Sequence, residues 1–278
     1  MSTLAEHYAL CEAALRENDR DRWLACLLAP EAARPHLHAL YAFNLVVSRV
    51  ASQVTQALLG EMRLQFWVDA LDGVAQGAVR ANPTADALLA TIEACGLDRE
   101  LFRELLQARR FDLYDEPQPD LAALDCYCDL TAGHLFRLAG RIVAGKDASG
   151  AAAGPAGRAF ALTGLLRALP WIAAEGRIFL PPDLLARHGL DAGSVKARKN
   201  SPELRAALAE LRARARENLA QTRTALREST PRPERAAYRL AALPKLFLRQ
   251  MDRAADPFAP LPEIAQWRRQ WALLAGRP

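Results

Sequence analysis

An all-α fold is predicted for this 278-residue chain by three observations. Apolar residues recur at intervals of three and four nearly throughout, and the alternation expected of a half-buried strand is scarce. Alanine, leucine and arginine, all strong helix formers, are abundant. The third observation is one long stripe between Glu203 and Glu228: Leu204, Leu208, Leu211, Ala215, Leu219, Thr222 and Leu226 share a face, with Arg205, Arg212, Arg216 and Arg223 elsewhere around the helix. Ser201-Pro202-Glu203 opens it, a capping hydroxyl followed by a proline whose missing N–H is harmless in a first turn.

The same periodicity predicts helices over residues 3–17, 21–28, 32–58, 60–77, 84–94, 98–114, 120–143, 151–173, 233–251 and 262–275. Breakers fall between them, at Asn82-Pro83, Glu116-Pro117-Gln118-Pro119, 176–182, Pro231-Arg232-Pro233 and Asp256-Pro257. Each gap is short, as connections within a helical bundle are. With no long linker, low-complexity tract or internal repeat, one domain over 1–278 is expected. The type of bundle is not set by periodicity.

Half the residues are apolar (51%), enough for a sizeable core, and 24% are charged, as in an ordinary soluble protein. Lys and Arg number 36 against 32 Asp and Glu, a net charge of +4. That mild excess suits an anionic membrane surface or a negatively charged partner, although a solvated arginine-rich exterior is the plainer reading. No nucleic-acid partner is expected. The longest apolar stretch, Ala39 to Val47, is broken by Asn44 and falls short of the roughly 18 residues of a membrane span. Glu6, Glu12, Glu17, Asp19 and Asp21 near the N-terminus match neither a secretory signal nor an acid-poor transit peptide. Cys11, Cys26, Cys95, Cys126 and Cys128 form neither an even disulfide framework nor a zinc pattern, so a reducing cytoplasm is the expected compartment. His7, His36, His38, His134 and His188 contain no pair at helical metal-ligand spacing.

Three segments carry the chemistry. Leu40-Tyr41-Ala42-Phe43-Asn44-Leu45-Val46-Val47-Ser48-Arg49-Val50-Ala51-Ser52 is the first. Tyr127-Cys128-Asp129-Leu130-Thr131-Ala132-Gly133 is the second. The third runs from Gly157 through Leu162, Gly164 and Leu166-Arg167 to Gly176-Arg177-Ile178-Phe179-Leu180-Pro181. In order, spacing and character they resemble squalene/phytoene synthases, the head-to-head prenyl-diphosphate condensing enzymes, from about Trp23 to Leu185. The resemblance implies an isoprenoid-synthase helical bundle with two D-x-x-x-D motifs on facing helices beside a prenyl cavity. Such an enzyme must stabilise a departing diphosphate with hard divalent cations held by carboxylate oxygens. Two carboxylates at i and i+4 lie on one helix face and converge on one ion cluster.

At these positions the chain departs from the family. Ser48 and Ser52 stand where the resemblance implies the first pair of aspartates, and Ala168 and Ile172 where it implies the second. Leu45, Ala161 and Gly164 replace a further arginine, glutamine and asparagine, whereas Asp112, Tyr127, Arg167 and Arg177 survive. Serine is a weak neutral ligand; alanine and isoleucine offer no side-chain oxygen. Asp69 with Asp72, or Glu175 with Asp183, are the substitute acids, and a solvated surface is the plainer reading of each. No metal, cofactor or catalytic residue is expected, and arginines without metal would hold a diphosphate without ionising it. A ligand cavity is expected around Tyr41, Phe43, Tyr127, His134, Leu162, Leu166, Arg167 and Arg177, although simple helix packing accounts for the same side chains.

Further stretches are similar to a non-catalytic branch of this superfamily, the mitochondrial respiratory complex I assembly factor. They are Arg63-Leu64-Gln65-Phe66-Trp67, Leu166-Arg167-Ala168-Leu169-Pro170-Trp171, His188-Gly189, and Phe247-Leu248 to Asp256-Pro257-Phe258 with Gln266-Trp267-Arg268. That branch implies an accessory role in NADH dehydrogenase assembly, with a respiratory complex subunit or assembly protein as partner. Starting at Met1 without a leader and rich in Ala and Arg, the chain is expected to be a bacterial counterpart, cytoplasmic and peripheral at the inner membrane. Two alternatives stay open: a prenyltransferase with atypical metal ligands, and a non-catalytic binder of a prenyl lipid or quinone. Peripheral, salt-sensitive membrane contact is expected from ten Lys/Arg against five acids between Arg198 and Arg235, and from Trp267 and Trp271 beside Arg268 and Arg269. The i, i+4 tryptophans suit a core equally, and core packing is the favoured expectation for them.

Overall fold

The computed structural model describes residues 3–74, 76–114 and 116–278, and among these there is no β-strand. The helices of the bundle follow from local signals. α1 (Leu4–Asn18) opens with a capping box, in which Thr3 and Glu6 each bond the other's backbone N–H. α2 (Arg20–Leu27) follows at once, capped by Asp19, then α3 (Arg34–Ser48), with Pro35 in its first turn. α4 (Ala57–Leu71), α5 (Gln76–Ala81), α6 (Pro83–Cys95) and α7 (Arg99–Arg110) complete the first half. α8 (Leu121–Cys128) runs through a π-helical turn, Asp129–Gly133, into α9 (His134–Ala144). The long α10 (Ala153–Ala174) leads to the short α11 (Pro182–Arg187) and α12 (Ala192–Lys196). α13 (Pro202–Glu228) opens as predicted, with Ser201 accepting from the Leu204 N–H. A 3₁₀ segment (Pro233–Ala242), α14 (Pro244–Met251) and α15 (Gln266–Ala275) close the chain.

The structure corrects several expected boundaries. The helix expected over 32–58 ends at Ser48; Ala51–Gln53 form a 3₁₀ turn, Val54 is extended, and α4 begins anew at Ala57. Ser48 and Ser52 therefore do not share a helix. Their hydroxyls bond the chain's own carbonyls, Ser48 Oγ to Leu45 O at 3.4 Å and Ser52 Oγ to Arg49 O at 3.0 Å, competing with the helical ladder just before β-branched Val54 and Thr55. The expected 60–77 helix stops at Leu71, with Gly73 at φ +78°, and Ala75 lies outside the described residues. Residues 233–242 wind as a 3₁₀ segment after Pro231 and Pro233, rather than as the start of an α-helix. The short α11 and α12 lie where the periodicity predicts no helix.

α10 organises the packing. It meets α13 most extensively and also packs on α9 and the π turn. Its N-terminal half, Ala153 and Ala156, joins the core built by α1–α7 and α9, and Ala159 to Ala173 join the core built with α8 and α11–α14. Gly157 makes this crossing close, because a Cβ there would run into the backbone of Ala132 and Gly133. Where α9 meets the 3₁₀ segment, Glu234 is fully buried and accepts from Ser149 N at 2.7 Å, Ser149 Oγ at 3.0 Å, Gly150 N at 3.0 Å and Tyr238 Oη at 2.9 Å. Burial together with the Glu234 charge pushes the Tyr238 phenol up, which keeps it a donor.

Candidate functional site

A cavity of about 240 Å³ opens where α3, α7, α8 and α10 converge, lined by Ser48, Ala51 and Ser52 on one side and Leu165 and Ile172 on the other. Arg109 ends α7, and the 3₁₀ turn that follows folds Asp112 back onto it. Arg109 Nη1 donates to Asp112 Oδ2 at 2.9 Å and to Tyr127 Oη at 2.8 Å, and Tyr127 Oη donates to Asp112 Oδ1 at 2.7 Å. Burial pushes the Tyr127 phenol well above its ordinary value, so it stays protonated as the triangle requires. Burial also works against the charge on Arg109, but Tyr127 and Asp112 outweigh it and hold the guanidinium above its ordinary value. At the rim Arg177 pairs with Glu175 at 2.5 Å.

Among the described residues lining the cavity, two arginines, Arg109 and Arg177, stand with two acids, Asp112 and Glu116. The cavity is smaller than the roughly 300–1,000 Å³ of typical small-molecule sites.

The structure divides the residues singled out from the sequence. Tyr127 and Arg177 line the cavity with Ser48, Ser52 and Ile172. Ala168 does not: it lies in a separate recess with Arg167, Trp171 and Phe247. Pro170 stands between Ala168 and Ile172, where it removes a helical hydrogen bond and crowds the Leu166 carbonyl. Arg167 stacks its guanidinium 3.7 Å from the centre of the Phe247 ring, and Leu166 is buried beside it. Leu162 is core, and Phe43 packs edge-on against Trp67 and Phe102 at 5.0 and 5.6 Å. Tyr41 is buried beneath the guanidinium of Arg22, 5.7 Å from its ring centre. His134 is buried away from the cavity, held by Glu104 at 2.5 Å and Arg137 at 2.9 Å. Among these eight residues the cavity unites only Tyr127 and Arg177. Arg109 was not anticipated; its only signal is an arginine three residues before Asp112 at a helix end.

The substitute acids are engaged elsewhere. Asp69 accepts from Gln65 Nε2 at 2.8 Å, Asp72 from Arg103 Nη2 at 2.6 Å, and Asp183 lies 3.9 Å from Arg187. Among the described residues no group of three or more His, Cys, Asp or Glu side chains gathers in metal-binding fashion. All five cysteines are unpaired. No helix among the described residues is long and apolar enough to cross a membrane.

The squalene/phytoene synthase family model matches residues 15–274. The chain belongs to the squalene/phytoene synthase family. Within that family it is similar to the human NADH dehydrogenase (ubiquinone) complex I assembly factor 6, 26% identical over 220 residues that cover 79% of this chain and 66% of the relative. It is also similar to presqualene diphosphate synthase of Rhodopseudomonas palustris, 30% identical over 172 residues, 61% of each chain. A dehydrosqualene synthase crystal structure superposes with a TM-score of 0.82 at 18% identity, covering 98% of this chain and 96% of the other. The chain thus spans about two thirds of the human assembly factor, and the family supplies relatives named for enzymes and relatives named for assembly.

Proposed function

We propose that the chain is a non-catalytic member of its family, one domain over 1–278, serving as an accessory factor in the assembly of a respiratory NADH dehydrogenase. The observation that carries this reading is the donor set between α3 and α10. Ser48 and Ser52 spend their hydroxyls on their own backbone, Ile172 presents hydrocarbon, and Ala168 faces another recess. A magnesium cluster needs several carboxylate oxygens converging at about 2.1 Å, and these residues do not fit one. Without cations the developing charge on a departing diphosphate would meet only Arg109 and Arg177, each already engaged by an acid, Asp112 and Glu175. The assembly role is carried over from the complex I assembly factor relatives, which this chain matches over most of its length. The reading places the protein in the cytoplasm at the inner membrane, with a subunit or assembly protein of the complex as its partner.

The retained cavity supports a second reading. With an apolar wall of Leu165, Ile172, Ile178 and Phe179 and formal charges that balance among the described lining residues, it suits the neutral head of a quinone or prenyl lipid better than a diphosphate. Deletion of the gene, followed by measurement of assembled NADH dehydrogenase in membranes, tests the main reading. Loss of assembled complex, restored by the intact gene, is the expected result; unchanged complex contradicts it. Lipid carried through purification and identified by mass spectrometry supports the second reading.

A further inference from the structure

The C-terminal edge of the fold carries a surface that the cavity does not use. The i, i+4 spacing of Trp267 and Trp271 favoured core packing, yet α15 turns them outward, 59% and 66% exposed, with Leu274 following on the same face at 53%. The opposite side of α15 does the packing: Leu273 is buried, and Arg269 reaches inward to Asp21 at 3.1 Å. That ion pair fixes which face the helix presents. A groove of about 860 Å³ between α14 and α15 joins Trp267 and Trp271 to Arg249, Arg253 and Arg268. Trp171, 56% exposed at the end of α10, lines an adjoining recess that shares Gln250, Glu263 and Ile264 with the groove.

The charges on this edge are one-sided. Among the described residues neither Arg249 nor Arg253 has an ion-pair partner, and Arg268 covers only the Trp267 ring, 5.4 Å from its centre. Glu263, the one acid lining the groove, is engaged by Arg269 at 3.4 Å. Nearby Asp252 is taken from the other side by Arg212 and Arg216 of α13. The arginine-rich stretch 198–235, by contrast, spends Arg212, Arg214 and Arg216 on Asp252 and Asp125 within the fold. Exposed tryptophans mixed with unpaired arginines are the side chains that settle at a lipid headgroup boundary, aromatic rings at the headgroup level and cations on the phosphates.

We propose that this edge rests on an anionic membrane surface, with Trp267, Trp271 and Leu274 entering the headgroup layer and Arg249, Arg253 and Arg268 meeting lipid phosphates. Binding of this kind is peripheral and salt-sensitive, since each basic residue near such a surface contributes modestly and is screened by ions. The proposal deepens the assembly reading, which sets the protein at the inner membrane, and is tested with lipid alone; its failure would leave a protein partner as the route to the membrane and the assembly reading standing.

The test is flotation of the full chain with vesicles of phosphatidylcholine, with and without phosphatidylglycerol, at low and high salt. Flotation is expected only with the anionic vesicles and only at low salt. A triple variant R249Q/R253Q/R268Q is expected to weaken binding by roughly fivefold per arginine, about a hundredfold in all. Trp267→Ala with Trp271→Ala should abolish both flotation and the blue shift of tryptophan emission on anionic vesicles. Circular dichroism melting checks that these surface variants stay folded. Absence of flotation with anionic vesicles at low salt overturns the proposal and makes the edge a protein-docking face. Binding unchanged in both variants overturns it as well.

Discussion

Glu234 and the paired serines of the cavity are polar groups under opposite constraints. Glu234 is the one carboxylate fully buried among the described residues, and four donors from Ser149, Gly150 and Tyr238 surround it. Gly140 makes room for it, since a Cβ there would sit 3.1 Å from Glu234 Oε1. At the cavity, Ser48 and Ser52 bond only to carbonyls three residues back and Ile172 offers no polar atom. A carboxylate taken out of water is tolerable only with donors or cations around it. Facing carboxylates without metal would repel one another, whereas hydroxyl and hydrocarbon carry no charge to balance. This chain keeps its buried carboxylate where it ties the 149–150 turn to the C-terminal half, and has none at Ser48, Ser52 or Ile172.

The comparison makes graded predictions for stability, each read by urea denaturation. Glu234→Ala should have the largest effect, about 3 kcal/mol: several donors lose their acceptor at roughly 1–3 kcal/mol each, partly offset by release of a buried charge. A loss below 1 kcal/mol would mean that the cluster is not structural. Gly157→Ala comes next, at about 1–3 kcal/mol, because α10 must move away from the π turn to admit one methyl group. Smallest is the double change Ser48→Ala with Ser52→Ala, expected within about 0.5 kcal/mol of the unaltered chain, as for substitutions outside any buried network. A large cost there would show that the serines hold the cavity together, and the contrast with Glu234 would collapse.

Much of the fold was legible because helical periodicity and caps are local signals. α13 follows its apolar stripe and Ser201 cap, and Gly157 and Gly133, both inside motif segments, meet at the close crossing of α10. What escaped reading depends on competition or on distance. The helix break after Ser48 hides in an apolar run, since serine hydroxyls win over the ladder only in the folded context. Arg109 gains its meaning from Tyr127, eighteen residues away, and no periodicity connects the two. Ala168 and Ile172 are one turn apart on paper yet open into different recesses around Pro170. The outward turn of Trp267 and Trp271 was undecidable from spacing, because one shared face serves a core or a surface equally; the Arg269–Asp21 pair decides it.

Magnesium-dependent release of diphosphate from farnesyl or geranylgeranyl diphosphate is the most direct test of the central claim, that the cavity no longer supports ionisation. The full chain, incubated with either substrate and magnesium, should release no more diphosphate than the protein-free control, and a chelator should change nothing. Multiple-turnover release that requires both the chain and the metal, and that stops on chelation, would contradict the claim and return the protein to the enzymes of its family.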